Sequence, residues 1–192
     1  MLFNTFVTGP GALLFAALAY FNVEMDADKL PSAGQFAFEL IFIGSMADLV
    51  FYCAHRAFHG RELYWLHKDH HEYHAAVVLA VQHNHPMDYV FSSLTTFGAG
   101  FIILSLYYPV HIYTLMIWYL IRSSESHHAH AGYELPWSHT QLIPFALGSV
   151  SHGFHHSHNS GSFTGMSHIL DTIFTTENTL VEQLHKHRSK QQ

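Results

Sequence analysis

The longest apolar stretch of the chain lies between Asp88 and Arg122: 33 residues without an Asp, Glu, Lys or Arg. One helix needs roughly 20 apolar residues to cross a bilayer, so this stretch is too long for one span and slightly short for two. Pro109, in "YYPVH", stands near its middle and can turn the chain. The pattern predicts a hairpin of two membrane helices, roughly 90–107 and 110–124; the alternative is one long helix kinked at the proline. Residues 34–54, "AGQFAFELIFIGSMADLVFYC", form a third apolar segment. It holds Glu39 and Asp48, and acids inside a span face the bundle or a polar cavity. Residues 6–22 form a shorter fourth segment, which lacks a basic leader and a good cleavage site and so reads as an anchor helix rather than a signal peptide.

Four spans with the N-terminus in the cytosol place "VEMDADKLPS" outside and the rest of the polar sequence inside. Arg56, Arg61, Lys68, Arg122, Lys186, Arg188 and Lys190 then lie on the cytosolic side and only Lys29 outside, as the positive-inside tendency requires. The expected fold is all-α: an integral membrane protein of about four transmembrane helices under a cytosolic, histidine-rich helical cap. At 192 residues it forms a single domain. The formal charge of −6 excludes a basic nucleic-acid footprint. The single cysteine, Cys53, excludes an internal disulfide and a cysteine-rich zinc module.

What remains unusual is histidine, 20 residues against 8 Lys plus Arg. "HRAFH" (His55, His59) is an i, i+4 pair, and "HKDHH" (His67, His70, His71) and "HGFHH" (His152, His155, His156) are i, i+3, i+4 triplets. On a helix such spacings share one face, so each segment is expected to aim its imidazoles at a common point. A lone histidine in a helix is usually a packed or surface residue. Eight at matched spacings on one predicted membrane face point instead to metal. Neutral imidazole suits Zn, Cu, Fe and Ni, and a catalytic metal takes about three protein ligands, so eight or more imply two metals. "SSESHHAHAG" adds His127 and His130, one turn apart, both able to face inward while His128 points away. His85, in "HNHP", fits either a capping role or a partner that orients a ligand. Glu125, Asp48 and Asp171 are candidate acids to balance the metal charge, and His74, His111, His139, His158, His168, His185 and His187 read as structural or surface residues.

The order of these elements resembles the fatty acid hydroxylase superfamily of integral-membrane, histidine-ligated oxygenases and desaturases, over roughly residues 44–177. "DLVFYCAHRAFH" is similar to its Asp-x-x-Phe-Tyr-x-x-His-Arg-x-x-His segment, and "NHPMD" to its His-Pro-x-Glu segment, with Asp88 as the acid. "HAGYELPWS" resembles the His-Ser-Gly-Tyr-x-Phe-Pro-Trp-Ser signature of the 4-methyl sterol oxidase branch. "GSF" (161–163) stands where that branch has Gly-Asn-Tyr, and "LDTIFTT" (170–176) where it has Trp-Asp-x-x-Phe-Gly-Thr. Ser162, Leu170 and Thr175 therefore depart from the pattern, replacing Asn, Trp and Gly.

The resemblance implies a di-metal centre of two Fe ions, with Zn as the alternative, that uses O2 to oxidise an unactivated C–H bond of a sterol or related lipid. His55, His59, His67, His70, His71, His152, His155 and His156 match the family's ligand motifs, and His130 matches the histidine of "HAGY". His127 rests on helical spacing alone, and His85, Asp48 and Asp171 are expected to orient ligands rather than bind metal. Electrons are expected from NAD(P)H through a reductase and a b-type cytochrome. Within the same chemistry, a fatty-acyl or sphingolipid hydroxylase or a desaturase is the alternative. From a different class, a histidine-rich metal transporter would place its ligands at mid-membrane depth in broken helices, whereas these histidines flank the spans. The endoplasmic reticulum membrane is expected for a eukaryotic source and the inner membrane for a bacterial one, with the site facing the cytosol. The tail "HKHRSKQQ" loosely resembles a lysine-based retrieval signal, against the plainer reading of a basic cytosolic tail.

Overall fold

The computed structural model describes residues 21–143, 145–146 and 148–177. Nearly all of the shorter N-terminal segment and the whole basic tail lie outside them.

The third apolar segment forms α1, Ala33–Phe58, whose N-cap Ser32 accepts a hydrogen bond from the Gln35 backbone N–H. It runs one turn beyond the apolar run, so His55 sits on the helix itself. Among the described residues, α1 is the helix long and apolar enough to cross a membrane. Its Phe38, Ile41 and Leu49 are exposed. The 33-residue stretch does turn at Pro109. Its first limb, entered from α3 (Pro86–Asp88), comprises a π-helical segment (Tyr89–Thr95) and α4 (Thr96–Ser105), and its second limb forms the first part of α5 (Ile112–Ala129). The first limb is not the plain α-helix expected. The Ser92 hydroxyl donates to the Asp88 carbonyl at 2.7 Å and that of Thr96 to the Ser92 carbonyl at 2.8 Å, bonds that compete with the helical ladder.

The all-α expectation also misses a small feature. Strands β1 (Val23–Glu24) and β2 (Val110–His111) pair in parallel, Val23 opposite Val110 and Glu24 opposite His111. His111 is buried: its Nδ1 accepts from the Tyr113 N–H as the N-cap of α5, and its Nε2 donates to the Asp26 carbonyl at 3.1 Å.

Ile43, Ala47, Phe101, Leu104, Val110, Leu115 and Trp118 form the core between α1, α4 and α5. Gly100 makes that packing possible, because a Cβ there would lie 2.6 Å from the Ile43 Cα. At one end of this bundle Glu39, fully buried, accepts from Gln35 and, at 2.7 Å, from the Thr114 hydroxyl. The histidines gather at the other end, carried by α1, α2 (Tyr64–His67) with the 3-10 turn His70–Glu72, the end of α5, and α6 (Gly148–His158). From Glu39 to His55 the helix rises about 24 Å at 1.5 Å per residue. The loop 159–168 and the short α7 (Ile169–Ile173) close the site from the side of α1.

Candidate metal centre

Nine of the histidines converge, and they do so as two groups. His55, His59, His67, His71 and His155 form one, and His70, His130, His152 and His156 the other, with the ligand atoms of each group within 4.8 Å of one another. Each triplet is therefore divided, which corrects the expectation that it aims at a single point. Neighbouring helical positions diverge by about 100°. The 3-10 turn carrying His70 and His71 turns them by about 120°, and the ring centres lie 6.0 Å apart for His155 and His156 and 5.6 Å apart for His70 and His71. Each adjacent pair straddles the two groups. "HKDHH" in addition is not one helix, since α2 ends at His67 and His70 opens a 3-10 turn.

The proton positions follow from the partners of the rings. His55 donates from Nδ1 to the Phe163 carbonyl at 2.8 Å and His155 to that of Gly161 at 2.6 Å. His70 donates to Ala80, His130 to Ser126 and His156 to Tyr73, all backbone carbonyls, and His67 donates to the Asp88 carboxylate at 2.7 Å. A carbonyl or carboxylate can only accept, so these rings carry their proton on Nδ1 and keep a lone pair on Nε2. In the second group the Nε2 atoms face each other, with Nε2 to Nε2 distances of 2.9 Å for His130–His152, 3.2 Å for His152–His156 and 3.3 Å for His70–His130. In the first, Nε2 of His59, His67 and His155 and both ring nitrogens of His71 are buried without a hydrogen-bond partner. Converging lone pairs repel and buried orphans are costly unless a cation lies among them, so the donor set fits two metal ions.

Burial favours the neutral rings. It holds His70, His152 and His155 well below the ordinary histidine range and brings His59 and His130 to about 3 and His156 to about 4, with neighbouring imidazoles adding to the effect. An unfolded histidine titrates near 6.5. Below that pH the unfolded chain takes up protons that the folded one refuses. Stability contributed by these rings is thus complete above about pH 6.5 and is lost as pH falls towards 4. The melting temperature of the metal-loaded protein should drop by more than about 5 °C between pH 7.5 and pH 5, with metal released over the same interval. Scanning calorimetry with metal analysis at each pH measures both; a melting temperature flat over that range contradicts the assignment of neutral rings.

The other predicted residues fall elsewhere. His127 is exposed and donates to the Ser123 carbonyl, away from both groups. The buried face at the end of α5 carries Glu125, His128 and Ala129, and residue 127 lies on the opposite side. The prediction for this pair of neighbours is therefore reversed: His128 is buried, accepting from the Leu135 N–H on Nε2 and meeting the Thr140 hydroxyl at 2.9 Å. It anchors "HAGYELPWS" rather than a metal. Within that segment Gly132 has φ +80° and Glu134 accepts from the Val150 N–H at the start of α6.

His85 does not reach the groups. It accepts from the Met87 N–H as the cap of α3. Asp88, three residues on, is the acid that orients a ligand, fully buried against His67. Its signal in the sequence is its place as the acid of "NHPMD". Replacing Asp88 with Asn removes the charge that holds the His67 proton on Nδ1, and metal affinity should fall roughly 10–100-fold. Competition against a chelator of known affinity measures it; unchanged affinity would mean that Asp88 only fills space.

Among the described residues, neither Asp48 nor Asp171 hydrogen-bonds to a histidine ring. Asp48 accepts from the backbone N–H groups of Gly165, Met166 and Ser167. Asp171 accepts from Phe163 N–H and Thr164 N–H at 2.9 Å and from the Thr176 hydroxyl at 2.7 Å. Both hold the loop whose Gly161 and Phe163 carbonyls fix His155 and His55. Glu125 pairs with Arg122, buried, rather than with a ring.

Two of the three departures from the family pattern, Ser162 in this loop and Thr175 just after α7, carry strain. Ser162 and Thr175 have φ of 54° and 53°, the left-handed region that Asn and Gly tolerate and a β-branched residue does not. Thr175→Gly should raise stability by about 1 kcal/mol, measured by denaturant unfolding. Loss of stability would show that the threonine is held by contacts worth more than the strain.

A family model for fatty acid hydroxylases matches residues 40–176. The chain is 31% identical over 173 residues to a methylsterol monooxygenase of Aspergillus fumigatus, covering 88% of this chain and 58% of the relative. Methylsterol monooxygenase 1 of Gallus gallus is 27% identical over 173 residues (90% and 57%). A very-long-chain aldehyde decarbonylase of Oryza sativa is 32% identical over 143 residues (72% and 52%). The chain thus spans a little over half the length of the curated relatives it matches. No solved structure matches it. Two histidine groups at the end of an apolar helical bundle, spread over the same residues as the family match, agree with one assignment: the chain belongs to the fatty acid hydroxylase family.

Proposed function

We propose that the two histidine groups hold two iron ions and that the protein is an O2-dependent oxygenase, hydroxylating a C–H bond of a sterol or related lipid at a membrane. The observation that carries this reading is the convergence of nine imidazoles in two groups, six of them with the Nδ1 proton taken up by a carbonyl or carboxylate so that Nε2 is left for a metal. Bound iron supplies O2 activation and redox capacity, which imidazoles lack. The chain's own part is to fix the rings. Asp88 holds the proton of His67 on Nδ1, and the Gly161 and Phe163 carbonyls do the same for His155 and His55. All three rings therefore present unprotonated Nε2 atoms.

The length of α1, the exposed apolar residues along it and the polar residues at both its ends support a spanning helix. In the proposed arrangement the 33-residue hairpin and the N-terminal segment complete four spans. The histidine cap then faces the cytosol, where a b-type cytochrome and reductase deliver electrons from NAD(P)H. That membrane is the endoplasmic reticulum of a eukaryote or the inner membrane of a bacterium.

Expression in a host that makes sterols, followed by lipid mass spectrometry, tests the reading. A product heavier by one oxygen, with about two irons per chain, is expected. Two zinc ions and no product would retain the site and remove the oxygen chemistry, because zinc has no redox activity. A second reading, a fatty-chain substrate, is favoured by the similarity to the rice protein named an aldehyde decarbonylase; the same experiment separates it, through modified acyl lipids with sterols unchanged.

A further inference from the structure

A cavity of about 50 Å³ lies beside the histidines and is lined by rings of both groups. Arg122, Glu125, Asn84, Ser92 and Phe51 form other parts of its wall. Arg122 and Glu125 bond to each other, and their side chains are only 13% and 6% exposed. Burying an ion pair at the end of an apolar helix does little for stability, since the desolvation of both charges offsets their attraction.

Neither residue serves the metal centre directly: no ring nitrogen of the nine histidines bonds to them. A guanidinium offers five N–H donors. Among the described residues Glu125 is the one hydrogen-bond partner of Arg122, and the guanidinium carbon lies 5.5 Å from the ring centre of Phe51. Donors therefore remain at the wall of a cavity that also reaches the metal-binding rings. The cavity has room for three or four water-sized groups, enough for a substituent of a lipid and not for its body. Glu125 neutralises Arg122, and a carboxylate entering here would face a second carboxylate. A neutral oxygen acceptor, hydroxyl or carbonyl, fits the pair best.

We propose that Arg122, held in place by Glu125, donates a hydrogen bond to a neutral oxygen of the substrate next to the carbon that is oxidised, so that the site selects lipids with a hydroxyl or carbonyl beside the reacting C–H bond. This rests on the reading of the centre as a lipid oxygenase.

Anaerobic equilibrium binding to the iron-loaded full chain in lipid nanodiscs tests it without turnover. Two matched probe pairs are used: a 4-methyl sterol with its 3-deoxy counterpart, and a long-chain aldehyde with the alkane of equal length. The wild type should bind the oxygenated member of at least one pair about tenfold more tightly, the worth of one hydrogen bond to a charged donor. Arg122→Gln should bring that ratio to within twofold with iron content unchanged, and Arg122→Lys, which keeps the charge but not the planar fork, should reduce it at least threefold. If Arg122→Gln does not fold, Arg122→Lys carries the test. A ratio preserved in the variants, or a wild-type ratio near one in both pairs, overturns the proposal. Discrimination confined to the aldehyde pair would support the anchor and remove the sterol substrate.

Discussion

Replacing His155 with alanine is expected to leave about one metal per chain and less than about 1% of wild-type product. His155 is fully buried, with its Nδ1 proton fixed by the Gly161 carbonyl and its Nε2 without a partner. Its ring centre lies 4.7 Å from those of His55 and His59 and 4.9 Å from that of His71, so it closes the five-residue group. Partners that merely orient a ligand cost roughly 10–100-fold when removed, and a ligand inside the group should cost more. The group of His70, His130, His152 and His156 keeps every member, which is why one metal should stay. Elemental analysis and lipid mass spectrometry on the same preparation check both halves. Two retained metals with normal product would remove His155, and with it the division into groups, from the account.

The second large effect is expected at a residue that bonds to none of the nine converging histidines. Asp171→Ala should destabilise the protein by about 3 kcal/mol or more and weaken metal binding at the same time. Asp171 is fully buried and accepts from Phe163 N–H, Thr164 N–H and the hydroxyls of Thr164 and Thr176. Alanine would strand those donors inside the loop, each at roughly 1–3 kcal/mol. Because the Phe163 carbonyl fixes His55 and the Gly161 carbonyl fixes His155, a loosened loop should reach two members of the same metal group. Denaturant unfolding with a metal titration measures the pair of effects. A stability loss with metal affinity untouched would show that the loop is only structural.

The local part of this protein could be read from its residues. The apolar run 34–54 locates α1 to within a few residues, because a continuous apolar segment is a local signal, whereas its N-cap Ser32 came from the structure. Pro109 marked the turn of the hairpin for an equally local reason. The nine histidines that converge were all recognisable from spacing and motif. Their partners were less so. Asp88 meets His67 across 21 positions, and the loop carbonyls that fix His55 and His155 belong to backbone, which carries no residue signature. In "SHHAH" the two adjacent histidines differ only in which side of α5 they occupy, and that side is chosen by the elements packed against it.

The sequence by itself determined which side chains were available as ligands, that they number enough for two metals, and that they sit at the ends of apolar segments. Only the tertiary structure decided how they are shared. It sends His70 to one group and His71 to the other, His155 to one and His156 to the other, because neighbouring positions point about 100° apart on an α-helix and about 120° apart in a 3-10 turn. What lies in each direction is set by four chain segments meeting at the end of the bundle, a relation that no spacing along the chain contains.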